Sequence, residues 1–106
     1  MVVSATEIGR NDPFNKYTNP KIAQKKAYSY LGNTGILYKS TRKDKKYMVK
    51  DDKDKWVHFG ALPYEDYTKH RNKIRRKSYL SRATNIRGDW WKNKYSPNCL
   101  AINILW

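Results

Sequence analysis

The chain has 106 residues, one domain's worth, and only 39% of them are apolar, with nine Tyr and four Trp supplying much of that share. Lys and Arg number 23 against 9 Asp and Glu, a net charge of +14, so the partners it calls for are anionic: nucleic acid, an acidic protein surface or an anionic membrane. No apolar run approaches the ~20 residues of a membrane span, no secretory hydrophobic region follows Met1, and neither glycine-rich nucleotide-binding motif is present, so membrane-spanning, secreted and phosphate-cradling classes lack support.

Residues 1–18 hold no sustained period and contain an Asp-Pro break, and they read as an irregular N-terminal arm, ordered only where something holds it. Ser4 and Glu7 have capping-box spacing, but no helical run follows, which discounts the motif. The arm is expected to take its order from other chains, and its removal to leave the rest folded. Residues 19–106 form the single small basic domain. Asn19-Pro20 opens a helix, because Asn caps well and Pro suits the first helical position, where its missing N–H would be unpaired anyway. Ala23, Ala27, Tyr30 and Leu31 make one apolar face, Lys21, Lys25 and Lys26 lie off it, and Gly32 supplies the left-handed stop.

Three strand-like runs follow, residues 36–41, 46–50 and 55–60, rich in β-branched and aromatic side chains and joined by short turn-like connections. They predict a three-stranded antiparallel sheet. Tyr47, Val49, Val57 and Phe59 share the face turned to the first helix. Met48, Trp56 and His58 point the other way, on a face to be covered by later chain or by a partner.

Pro63 ends the strands, and a basic stretch runs from Lys69 to Arg82 with seven Lys or Arg and no acid. It reads as a helix without a clean apolar side, the pattern of a helix that bridges between bodies. Trp90 and Trp91 then sit beside Lys92 and Lys94. Ser96-Pro97 repeats the capped opening, and Leu100, Ile104 and Leu105 give a short terminal helix its apolar stripe. Cys99, the lone cysteine, reads as a buried structural thiol in a reducing compartment. The expected fold is α+β: a helix packed on a three-stranded antiparallel sheet, then a basic helix and a short C-terminal helix.

Two constellations could carry function. His58, Glu65, Asp66 and His70 fall within thirteen residues, and together could hold a divalent metal as a small nuclease would need. Their spacing matches no ligand pattern, and the bland reading, in which His58 belongs to a strand face and the two acids open the basic helix, is preferred. No metal or other cofactor is expected. The second is the basic surface: Lys69, Arg71, Lys73, Arg75, Arg76, Lys77 and Arg82 as contacts to an anionic partner, with Trp90 and Trp91 as stacking candidates. For the two tryptophans a core role is preferred, since a chain poor in aliphatics needs their area.

The runs "KSTRKDKKYMVK" and "KWVHFGALPYEDYTKHRNKIRRKSYLSR", with "NPKIAQKKAYSYLG" before them and "YSP" and a closing "LW" after, resemble a family of small basic proteins encoded by large nucleocytoplasmic (giant) DNA viruses of algae and amoebae. The resemblance covers about Asn19 to Trp106, and Val57–Gly60 and Tyr64–Thr68 are its most specific parts. It implies no catalytic residue. It implies a viral origin and a late, particle-associated role. The leading reading is a non-enzymatic structural component of the virion, assembled in the host cytoplasm, a minor capsid or core protein that bridges neighbouring capsid or core proteins. The alternative is a nucleic-acid-binding protein contacting viral DNA, and the third reading is the metal-dependent nuclease.

Overall fold

A computed structural model describes residues 2–106. In chain order the main elements are α1 (Pro20–Leu31), β1 (Tyr38–Lys39), β2 (Lys45–Lys50), β3 (Trp56–Ala61), α2 (Tyr67–His70), α3 (Lys73–Thr84) and α4 (Pro97–Leu100), the last running into a π-helical turn over Ala101–Leu105. The strands pair antiparallel in the order β1-β2-β3, with Tyr47 opposite Phe59, Met48 opposite His58 and Val49 opposite Val57. The expected α+β architecture is the one observed.

Local signals fix the ends of α1. Asn19 Oδ1 accepts from the Ile22 N–H at 3.3 Å, Pro20 takes the first position, and Gly32, at φ +82°, ends the helix while its N–H reaches the Tyr28 carbonyl at 2.9 Å. The register of the sheet turns Tyr47, Val49 and Phe59 to one side, where they join Ala23, Ala27 and Leu31 of α1 and Leu100, Ile104 and Leu105 of the C-terminal helix in one core. Gly60 lets these parts meet. It sits at φ +81°, and a Cβ there would lie 2.8 Å from Leu105 Cδ1 and 3.1 Å from Lys46 Cβ, so any side chain would be both strained and obstructed.

The opposite face of the sheet is closed in part by its own side chains. Met48 is buried beneath Tyr38 and Trp56, whose rings meet edge-to-face at 5.3 Å, and Lys50 Nζ lies 5.1 Å from the Trp56 ring centre. His58 Nδ1 is hydrogen-bonded to Ser40 Oγ at 2.7 Å.

β1 is shorter than the six-residue run expected, because other partners claim its backbone. Gln24, buried in the face of α1, donates Nε2–H to the Gly35 carbonyl at 2.8 Å and accepts the Leu37 N–H at 2.9 Å. On the outer side, the Ala5 N–H donates to the Leu37 carbonyl at 2.9 Å and the Lys39 N–H to the Val3 carbonyl at 2.7 Å.

The stretch read as an arm is therefore held by its own chain. The capping pair discounted in the sequence does form on a single 3-10 turn, Ala5–Glu7: the Ser4 N–H and hydroxyl both donate to Glu7 Oε1, at 3.2 and 2.7 Å. A second turn, Pro13–Lys16, capped by Asp12, drives Phe14 into the core, where its ring meets Tyr47 edge-on at 5.2 Å. Ala5, Phe14 and Thr18 are all buried. Sequence periodicity could not show this, since the buried residues are single side chains on irregular backbone. Phe14→Ala should accordingly cost about 3 kcal/mol or more, the range for truncating a core aromatic, and deletion of residues 2–18 should abolish cooperative unfolding. Urea denaturation followed by tryptophan fluorescence checks both, and an unchanged midpoint for Phe14→Ala would place the arm outside the core.

Candidate anion-docking surface

The surface is positioned by a buried polar chain. Lys46 and Asp66 are an ion pair with Nζ 3.1 Å from Oδ2, and their side chains are 2% and 0% exposed. Asp66 Oδ1 accepts from the Thr68 N–H at 3.0 Å and from the Thr68 hydroxyl, so one carboxylate both neutralises β2's lysine and caps α2. Thr68 Oγ1 also lies 3.2 Å from Thr18 Oγ1 and accepts the Asn19 N–H at 2.9 Å, and Thr18 Oγ1 is 2.9 Å from the Tyr47 hydroxyl. Burial pushes the Lys46 pKa down while Asp66 pulls it back up, and burial holds the Tyr47 phenol well above its ordinary value. The N-terminal stretch, the start of α1, β2 and α2 all meet in this chain.

From α2 the backbone turns sharply. Arg71 adopts a left-handed conformation, φ +54°, and closes α2 by donating its N–H to the Tyr67 carbonyl at 3.1 Å. Asn72 then starts α3, its Oδ1 accepting from the N–H groups of Ile74 and Arg75 at 3.0 and 3.1 Å. The single helix expected from Lys69 is thus a turn, a corner and a helix. The signal was present in Asn72, a good cap in the middle of a charged run.

α3 touches the body sparingly. Ala83 is its one fully buried residue, while Tyr79 and Leu80 are half-buried. Tyr79 stacks on Trp106 with ring centres 4.1 Å apart, Arg76 Nε donates to the Trp106 carbonyl at 2.7 Å, Arg75 pairs with Glu65 at 3.0 Å, and Asn98 Nδ2 donates to the Ala83 carbonyl at 3.0 Å. The helix is a strut secured near its start, middle and end.

Of the seven cations read as the anion-binding run, three have internal work. Arg75 and Arg76 hold the contacts just given, and the Arg71 and Arg76 guanidinium groups lie 5.1 and 5.3 Å from the Tyr67 ring centre. Lys69, Lys73, Lys77 and Arg82 are exposed, with no carboxylate partner among the described residues. Sequence reasoning passed over Lys26. It is pushed down by burial, and next by the nearby charge of Arg76, so α1 adds a cation beside the corner of α2 and α3.

Trp90 is half-buried and donates Nε1–H to the Ile86 carbonyl at 2.7 Å, in keeping with a closing role. Trp91 departs from the core role given to it: it is 62% exposed, with Lys92 Nζ 5.3 Å from its ring centre. The short 3-10 turn Trp90–Lys92 cannot turn adjacent residues to one side, so only the first tryptophan packs inward. Cys99 is buried, and its Sγ–H reaches the Trp90 carbonyl at 3.5 Å.

The four residues of the metal constellation are separately engaged. Asp66 is bound to Lys46, Glu65 to Arg75, His58 to Ser40, and His70 Nδ1 accepts the Asn72 N–H at 2.9 Å while its ring packs 5.1 Å from that of Trp106. No group of three His, Cys, Asp or Glu that could hold a metal occurs among the described residues.

Over residues 35–83 the chain is similar to a family of unknown function (DUF5754). That stretch holds the sheet, the Lys46–Asp66 pair and all but the last turn-residue of α3, and leaves outside it α1, the N-terminal turns and the C-terminal helix that complete the core. No curated protein and no solved structure matches the chain.

Asp66→Ala strands a buried ammonium and uncaps α2, and should destabilise the fold by about 3–5 kcal/mol, as breaking one side of a buried pair does; urea midpoints measure it, and a loss near zero would mean that Lys46 reaches solvent. The histidines set the acid limb. Burial, with Arg42 for His58 and Arg75 for His70, holds both pKa values below their ordinary value. The unfolded chain therefore takes up protons first, and stability present above about pH 6.5 should fall as pH drops through and below it. Replacing both His by Gln should flatten that slope in pH-dependent melting; an unchanged slope would assign it to other groups.

Proposed function

We propose that this protein is a non-enzymatic bridging component of a large DNA virus particle, in which the outward face of α3 docks on an acidic surface of a neighbouring capsid or core protein. The observation that supports it is the exposed, carboxylate-free pair Lys73 and Lys77, one turn apart on a strut secured to the body along another side, with exposed Lys69 of α2 just before the corner. Leaving like charges together on one helix opposes folding slightly and has a use only when a negative partner arrives. The resemblance to small basic giant-virus proteins supplies the setting. In that setting, assembly would take place in the host cytoplasm.

Viral DNA is the second reading, and the exposed Trp91 beside Lys92 favours it, since a free indole next to a cation is what a stacked base would use. The two readings separate in purified particles. Carbodiimide treatment, which joins amines to carboxylates in contact, should link Lys73 or Lys77 to Asp or Glu of a neighbouring protein. With DNA, Lys73→Ala/Lys77→Ala should leave the slope of log affinity against log salt nearly unchanged if the face meets protein. A slope shallower by about 2 units, together with a packaging defect in intact shells, would transfer the face to DNA.

A further inference from the structure

Beside the strut lies a groove of about 740 Å³, open to solvent, between α3, the end of β3 and the C-terminal helix. Its floor is apolar, formed by Phe59, Ala101 and Leu105. Its lips are apolar too, and unusually bare: Tyr64 is 69% exposed, Ile74 80% and Ile86 53%. These three are among nine large hydrophobic residues exposed across the described chain, and they gather around one opening. A bare isoleucine at the start of a helix whose other exposed side chains are charged or polar is costly unless something covers it.

The rim decides what does. Lys45, Arg75 and Arg82 border the groove, and its one carboxylate, Glu65, is already paired with Arg75. A second copy of this chain would bring another +14 against that rim, so self-association opposes the charge. We infer that the groove receives an acidic segment of a partner protein bearing large apolar side chains, its carboxylates meeting Lys45 and Arg82 while its apolar residues enter between Ile74 and the Phe59–Leu105 floor. The volume suits two or three side chains, and the mode is that of an amphipathic segment laid in a groove. This deepens the proposal of an acidic docking partner and rests on it for the partner's class, but uses the inner face of α3 instead of the outer one.

Two synthetic peptides test it on the full chain. One carries Glu with Leu at helical spacing, and in the other every Leu is Gln. Titration calorimetry and amide shift mapping should show the Leu peptide binding at least about tenfold more tightly than the Gln peptide, the weight of a buried aliphatic side chain. Its shifts should fall on residues 59–61, 74–79 and 101–106. Ile74→Asp, at an exposed early helical position that tolerates an acid, should erase the preference, and Ser78→Trp, which fills the groove, should do the same. Lys73→Glu/Lys77→Glu should weaken both peptides alike and leave the preference for Leu intact. Equal affinity for the two peptides, shifts elsewhere, or an Ile74→Asp protein that still prefers Leu would overturn the inference. Sedimentation showing a dimer that Ile74→Asp dissolves would overturn it in favour of a second copy. If the lysine variants bind both peptides normally while the preference stands, the outer-face reading fails and the groove survives.

Discussion

A lysine and an aspartate without solvent hold this molecule in register. Lys46 comes from the middle strand and Asp66 from the loop after the last strand, and between them they fix where the sheet ends and where the helical half begins. Such a pair gains little over an apolar substitute in net free energy, because desolvating both charges offsets their attraction. Its value here is geometric. One carboxylate oxygen takes the ammonium and the other caps α2, so a shift of either partner would leave an unsatisfied charge in the core. Thr18, Thr68 and Tyr47 extend the same constraint to the N-terminal stretch, and no member of the chain can be placed without the others.

This arrangement explains how a chain so basic and so poor in aliphatics folds at all. Its core is made of a few aromatic and aliphatic side chains drawn from almost every part of the sequence, with Ala5 and Phe14 toward one end and Leu105 near the other. Aromatic rings supply area in large pieces, and buried hydroxyls satisfy their polar ends. The stretch similar to the DUF5754 family carries the sheet and the ion pair, while flanking segments furnish much of the apolar covering.

What could be read in the sequence was whatever repeats or punctuates. The caps at Asn19 and Ser96, the stop at Gly32, the alternation that sends Tyr47 and Phe59 inward and the stripe of Leu100, Ile104 and Leu105 are local rules, and each is realised. The arm was opaque because Phe14 and Thr18 are solitary buried residues whose partners lie far away in sequence. Lys46 looked like one more surface lysine in a chain full of them, and nothing marks it until Asp66 is brought beside it. The basic run was legible as a helix, but the division of labour within it was not, since Arg76 and Lys77 differ only in which side of α3 they occupy. Trp91 followed the same logic, its exposure set by a tight turn and not by its hydrophobicity.

The corner at Arg71 and Asn72 has a wider meaning. The direction of α3 starts from one left-handed residue and one cap and is kept by the contacts of Arg75, Arg76 and Tyr79, none of them in the core cluster. Stability and the aim of the strut are therefore written in different residues. Evolution can swing the helix, and with it both of its faces, toward a new neighbour by altering the corner and the few peripheral contacts that fasten it, while the fold beneath stays as it is.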